Sequence, residues 1–326
     1  RGNTTFTEYE TVSHTYPSRI TRPETNGIKH VEENLAFDYR VGKVTTARDE
    51  NGNLTYYTYD SLGRLTRVDF PDGGQTAYAY SDSSFPSFIK TTTKTGTGTP
   101  ITTYEYFDGL QRKIKTISYG ENGKPIHTSA FYDNMGRNYL NEGPYFTKTG
   151  GYPWERSTFD YFGRPEKVER PDGEYSIVAT TFDYSGLETT TTDPDLARKR
   201  IVKDYLDRVI QVIEYSDNGE IHTAYSYNAV GDLKTITNHA GITTVFDYDT
   251  LGRMCNMNDP DMGFWRYDYD ANGNLKAQMD HRQQIIEFNY DELNRILSKT
   301  YSAVDPPVTY QYDNPAVPNG TGKLHT

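Results

Sequence analysis

The 326-residue chain has a single cysteine, Cys255, so no disulfide framework forms within it and thiol usage gives no sign of its compartment. No apolar run approaches the roughly 18 residues of a membrane-spanning helix, so this fragment carries no membrane span. Lys and Arg number 34 against 45 Asp and Glu, a formal charge of −11. That balance argues against duplex DNA or RNA as a partner, because phosphates demand clustered Lys and Arg. Only 34% of the residues are hydrophobic, a fraction that leans toward a poorly packing or disordered chain. No signal peptide opens the sequence, which starts in mid-pattern as an excised fragment would. What is plentiful is aromatic: 29 Tyr, 14 Phe and 2 Trp, or 14% of the chain. Disordered chains are poor in aromatics, so the composition points to a fold that packs Tyr and Phe in place of Leu.

Internal repetition takes precedence over the two-domain expectation that length alone would give. An aromatic residue, then Asp, two residues, a Gly-Arg-like pair and an apolar residue recur along the chain. The motif reads Tyr59-Asp60-Ser61-Leu62-Gly63-Arg64-Leu65, and returns at Tyr132-Asp133 with Gly136-Arg137 and at Phe159-Asp160 with Gly163-Arg164. It recurs at Tyr248-Asp249 with Gly252-Arg253, Tyr269-Asp270 with Gly273, Tyr290-Asp291 with Asn294-Arg295, and finally Tyr312-Asp313. Weaker copies sit at Phe107-Asp108, Asp204 and Tyr227-Asn228. From Asn228 to Asp249, Asp270 and Asp291 the step is 21 residues, then 22 to Asp313. Upstream the steps are longer, so insertions loosen the first half. Residues 35–326 are therefore expected to be one repeat array, regular after about 228, with 1–34 an irregular segment or incomplete repeat.

Each unit reads as a β-hairpin. Leu65–Phe70 suits a strand, Pro71-Asp72-Gly73-Gly74 is turn chemistry, and Gln75–Tyr80 suits the returning strand. The Asp-x-x-Gly-Arg segment is the turn to the next unit: Asp accepts backbone N–H groups two residues on, and Gly accepts positive φ. Only Arg40–Asp49 and Asp195–Tyr205 leave strand structure in question. Aromatic pairs two apart, such as Tyr57/Tyr59, Phe246/Tyr248, Tyr267/Tyr269 and Phe288/Tyr290, share a strand face, and Trp265 extends it. About 30 strands at about 4.8 Å would make a ribbon of roughly 140 Å. Open twisted sheets beyond about 10 strands curl. The expected fold is all-β: tandem hairpins in a long antiparallel ribbon that coils into an open spiral or partial hollow shell, aromatic face inward.

These Tyr-Asp-x-x-Gly-Arg units resemble the YD repeats of Rhs proteins, which also occur in the B and C components of bacterial insecticidal toxin complexes and in teneurins. The resemblance spans roughly residues 35–326. It implies a β-ribbon wound into a hollow shell that, in toxin members, encloses a C-terminal toxic domain. It also implies that the partners are the remainder of a larger polypeptide and that enclosed domain, and that the protein is secreted, injected or cell-surface. Toxin shells of the family end in an Asp-Pro and glycine core motif that cleaves itself. Asp259-Pro260-Asp261-Met262-Gly263 matches it only superficially and reads as a hairpin turn.

Other chemistry is thinly supported. Asp270-Ala271-Asn272-Gly273-Asn274 and Asp49-Glu50-Asn51-Gly52-Asn53 alternate oxygen-bearing side chains, but neither has the glycine and glutamate register of a calcium loop. The seven His residues show no zinc spacing, so neither a metal nor a cofactor is expected. Thr95-Gly96-Thr97-Gly98-Thr99 lacks the phosphate-loop lysine, and no Gly-x-Ser-x-Gly elbow occurs. Cys255 reads as a packed strand residue, and Asp193/Asp195 and Asp259/Asp261 as turn carboxylates, although glycosidases also use carboxylate pairs. Trp154 and Trp265 are the candidates for stacking on sugar rings. The repeat arginines are expected to pair with neighbouring Asp or to cap turns. The leading expectation is a non-enzymatic scaffold, a fragment of a shell that encapsulates or presents a toxin-like polypeptide. The alternative is an extracellular module that binds carbohydrate or a cell surface.

Overall fold

The structure, a computed structural model, describes residues 4–325 apart from 84, 97, 120–122, 147, 149–151, 174–175 and 304. Among the described residues there are 27 strands and no helix, all in one sheet, and the strand pairs described are antiparallel and join strands adjacent in sequence. The alternating aromatic and polar residues settle into the expected faces. In Gly263–Tyr269, Trp265, Tyr267 and Tyr269 are half-buried while Phe264, Arg266 and Asp268 are exposed. In Ile285–Tyr290 the same alternation buries Ile286, Phe288 and Tyr290 in part. The two doubtful stretches are strands as well, Lys43–Arg48 and Arg198–Lys203.

The chain divides into two compact units. The first comprises Arg1–Ser157, Glu169–Ile177 and Tyr312–His325, and the second Thr158–Val168 and Val178–Gln311. In the first, Phe6–Tyr9, Pro17–Thr25 and Ile28–Asp38 form successive antiparallel strands, the last running through residue 35. Rings cluster on its strands: Tyr16 with Phe37 at 5.7 Å, Phe37 with Tyr39 at 5.9 Å, and Phe88 with Tyr104 and Tyr106 at 5.7 Å each. The first unit also holds Tyr312–His325, where a single bridge joins Tyr312 to Leu324. The second unit carries the regular repeats. Its register is set pair by pair, for example Tyr267↔Gln278, Gln278↔Ile286 and Ile286↔Tyr301.

Burial is shallow. Among the described residues only two apolar side chains are enclosed, Val68 at 6% and Ile213 at 2% exposure. The chain exposes 21121 Å², against about 13,700 Å² for an ordinary globular protein of its mass. The sheet is thus held by its ladder, by contacts within its aromatic face and by its turns, with little enclosed core.

Candidate functional site

The repeat turn is the unit from which any function must be built. At Asp60 the backbone N–H donates to Arg64 O at 2.9 Å, and Gly63 N–H donates to Asp60 O at 3.1 Å. The carboxylate closes the loop. Its Oδ1 accepts the N–H groups of Leu62 and Arg64, both at 2.9 Å, and its Oδ2 accepts Arg64 Nε–H at 2.7 Å. Gly63 sits at φ +76°, the left-handed conformation that this turn needs at its fourth residue. Asp108, Asp133, Asp160, Asp204, Asp249 and Asp291 repeat the arrangement with Arg112, Arg137, Arg164, Arg208, Arg253 and Arg295, each ion pair at 2.6–2.7 Å.

The arginine then reaches into the next repeat. Arg64 lies 4.2 Å from the ring centre of Tyr80, Arg112 4.4 Å from Tyr132, Arg164 4.0 Å from Tyr184, Arg208 4.7 Å from Tyr227 and Arg253 4.6 Å from Tyr269. Each of these tyrosines donates its hydroxyl to the carbonyl of the residue just after that arginine. Tyr80 bonds Leu65 O at 2.8 Å, Tyr184 Pro165 O at 2.8 Å, Tyr227 Val209 O at 2.7 Å and Tyr269 Met254 O at 2.8 Å. The conspicuous Tyr, Asp and Arg of the sequence therefore form one staple, carboxylate to guanidinium to ring to carbonyl, linking consecutive repeats.

The electrostatics follow from this geometry. The Arg64 backbone N–H, opposed by burial and aided by the Arg64 side chain, holds the Asp60 carboxyl below the usual carboxylate range. At Asp249 the Arg253 N–H and then its side chain do the same. Burial raises the Tyr269 hydroxyl, with Arg253 pulling the other way. The ion pair itself is dispensable to the turn. At Asn228 the amide oxygen accepts Val230 and Asp232 N–H at 3.1 and 2.8 Å, and Nδ2 donates to Asp232 Oδ2 at 2.9 Å. The cap is kept although the acid has moved four residues along.

The other candidate residues serve turns or stand apart. Asp259 Oδ1 accepts the Asp261 and Met262 N–H groups and Oδ2 accepts the Thr244 hydroxyl at 2.7 Å, which makes it a hairpin cap. Asp193 caps Asp195 and Ala197 in the same way. Among the described residues no group of His, Cys, Asp or Glu has the geometry to hold a metal ion. Of the Gly-rich stretch 95–99, Gly98 N–H turns back to Thr95 O, and Thr97 lies outside the described residues. The two tryptophans are not brought together. Trp154, in the first unit, lies under the Arg156 guanidinium at 5.2 Å. Trp265, in the second, stacks beside Tyr267 at 6.4 Å and lines a 230 Å³ depression with Gln278, Asp280, Gln284, Ile286 and Tyr301.

Of one further constellation the repeat pattern marked only Asp313. Thr25 and His30, at 0% and 1% exposure, flank the turn between the strands Pro17–Thr25 and Ile28–Asp38. Thr25 Oγ1 lies 2.6 Å from His30 Nε2 and 2.8 Å from Asp313 Oδ2, and His30 Nδ1 lies 2.8 Å from Glu50 Oε2. Asp313 is 2% exposed and stands 288 residues from Thr25. Around this network the turn Asp49–Asn53 holds the end of the chain. Asn51 exchanges two hydrogen bonds with the Thr321 backbone, and Asn53 Nδ2 donates to Asn319 Oδ1 at 2.7 Å. The only hint in the sequence was that Asp313 is followed by Asn314-Pro315, not by the expected Gly-Arg turn.

Comparison with known proteins agrees with the turn geometry. The RHS Repeat family model matches residues 38–75, 227–261 and 269–303. The chain carries Rhs repeats over these three stretches. A second family model, a domain of unknown function (DUF6443), covers residues 83–193 of this Rhs-repeat chain. Human and mouse Teneurin-4 are each 39% identical to it over 61 residues, 18% of this chain and 2% of theirs. Among solved structures, the crystal structure of TcdB2-TccC3-Cdc42 superposes with a TM-score of 0.76 at 13% identity, covering 95% of this chain and 22% of that one. That of TcdB2-TccC3 without its hypervariable C-terminal region gives 0.63 at 13% identity, covering 94% and 23%. At that identity the likeness is one of fold. The chain spans less than a quarter of the length of the toxin-complex chains it superposes on.

Proposed function

We propose that this Rhs-repeat chain is a non-enzymatic wall segment of a shell that encloses or presents a toxin-like polypeptide. The observation that carries the reading is the Tyr-Asp-Arg staple, which fixes one repeat to the next along a thin sheet with one aromatic and one polar face. The fold likeness to toxin-complex structures supports it. On this reading residues 35–326 are the repeat wall, regular after about 228, and 1–34 an incomplete repeat at its start. The ribbon coils with its aromatic face toward the enclosed volume. The remaining partners are the rest of a larger polypeptide and its enclosed domain, and the protein is secreted, injected or displayed at a cell surface. The test is protease protection of the polypeptide encoded with this chain, expressed in its natural context. Survival of an interior segment until the repeat turns are cut is the expected result. Digestion of that segment at the rate of the free polypeptide would refute containment.

The Trp265 depression favours a second reading, a carbohydrate site, because an aromatic platform there meets two carboxamides, Gln278 and Gln284, and the Asp280 carboxylate. Saturable binding on a glycan array, lost in Trp265→Ala and kept in Trp154→Ala, would support it. A blank array would dismiss it.

A further inference from the structure

We propose that the Thr25–His30–Glu50–Asp313 network is a proton-dependent latch, which fastens the segment Tyr312–His325 to the strands Pro17–Thr25 and Ile28–Asp38 and to the turn Asp49–Asn53. The inference stands apart from the shell reading, since all of these residues belong to the first unit and need no cargo.

The latch is a repeat turn rebuilt. In an ordinary repeat the Asp N–H donates to the carbonyl four residues on, Oδ1 takes an N–H from that end of the loop, and Oδ2 takes an arginine. At the last repeat Asp313 N–H donates to Lys323 O at 3.1 Å, and Oδ1 accepts Gly322 N–H at 2.7 Å. The closure is the same, stretched around the longer loop Asn314–Thr321. Oδ2 receives the Thr25 hydroxyl in place of a guanidinium, with His30 Nε2 at 3.6 Å behind it. A permanent cation four residues away has been exchanged for a titratable ring reached across the chain.

Counting hydrogens shows that the network holds an extra proton. His30 to Glu50, His30 to Thr25 and Thr25 to Asp313 are three hydrogen bonds, and each requires one hydrogen. The threonine hydroxyl supplies one and a neutral imidazole one, while ionised carboxylates supply none. The third is an added proton. Placed on the ring, that proton lets Nδ1 donate to Glu50 and Nε2 donate to Thr25, while Thr25 donates to Asp313. Losing it sets two acceptors face to face inside a buried cluster.

The charges around His30 are Glu50 and Asp313 in contact, Arg22 opposite it on the neighbouring strand and paired with Glu32 at 2.8 Å, and, further out, Asp49 and Lys323. Glu50 also lines a 580 Å³ solvent-facing cavity with Glu32, Asp49 and Lys323, which gives the buried ring a route for proton exchange. Rising pH should therefore release the tail.

Hydrogen exchange on the whole chain tests this through the Thr321 and Gly322 amides, which bond Asn51 and Asp313. Their protection, corrected for intrinsic exchange, is expected to fall about tenfold between about pH 5.5 and about pH 8.5, the cost of one charged hydrogen bond. His30→Gln should remove the pH dependence. Gly322→Ala should abolish protection at both pH values, because an added Cβ would collide with the Glu50 carboxylate. Protection that does not change with pH, or a pH step that survives in His30→Gln, would overturn the latch. Should either variant fail to fold, imidazole ¹⁵N shifts of the unaltered protein decide. Both His30 nitrogens should be protonated at the lower pH and lose a proton in step with the tail amides, and a neutral ring beside a protected tail would overturn the proposal.

Discussion

The turn aspartate is the residue on which each repeat depends, and its work is divided between two oxygens. Oδ1 satisfies two backbone N–H groups and Oδ2 holds the arginine, but only the first task is kept at Asn228. Asp249→Asn should therefore lower the thermal midpoint modestly, through loss of the Arg253 pair, and Asp249→Ala should lower it further, through loss of the N–H cap as well; equal losses in the two variants would contradict this division. The same carboxylates fix the response to acid. The folded-state values of Asp60, Asp108 and Asp249 lie below the ordinary range, so the stability they add is complete above the unfolded value and is lost as pH falls through the folded one. Midpoints followed by far-UV circular dichroism should hold steady down to about pH 4 and fall below it. At the fourth turn position the chain sometimes forgoes glycine: Leu196 sits at φ +66°, 79% exposed. Leu196→Gly should stabilise by roughly 0.5–1 kcal/mol in urea unfolding, since relief of left-handed strain exceeds the entropy glycine adds to the unfolded chain.

At the scale of strands and turns, the staple ties each returning strand to the start of the previous one. Tyr269→Phe keeps the ring under Arg253 but deprives Met254 O of its donor, at an expected cost of about 0.5–1.5 kcal/mol in urea unfolding. This is also the scale at which the sequence was most readable. Strand period, turn chemistry and the 21-residue step are local, so Tyr267/Tyr269 and Phe288/Tyr290 announced both the strands and their half-buried face. The arginine's second contact was not readable, because a guanidinium four residues from its acid gives no sign of the ring it will meet one repeat later. Thr25 and His30 were silent, and Glu50 stood out only as a member of the oxygen-rich stretch Asp49–Asn53. Thr25 meets His30 and His30 meets Glu50 directly, and Asp313 joins them from 288 residues beyond Thr25. The Asp49–Asn53 stretch, weighed for its run of oxygens, spends them on its own turn and on the returning tail.

For the molecule as a whole, the scarcity of enclosed apolar side chains makes the few that exist valuable. Ile213 faces Arg200 and His222 across its two neighbouring strands and is 2% exposed. Ile213→Ala should cost about 2–4 kcal/mol by chemical denaturation, while an equivalent change at the exposed Ile177 should cost little. A repeat array couples mainly to its nearest neighbours, so that loss should remain local and appear in hydrogen exchange as a weakened patch around Gln211 and Thr223.

The thinness of the sheet also has a calorimetric consequence. The heat capacity gained on unfolding comes mostly from newly wetted apolar surface, and exposed polar surface subtracts from it. A chain that leaves 21121 Å² in water, against about 13,700 Å² for a globular protein of its mass, has less apolar surface left to uncover. Its stability should vary gently with temperature, along a broad and flat curve with its cold limit pushed far below freezing. A sheet that encloses so little would thereby change its stability less between a cold environment and a warm one than a globular protein of its mass.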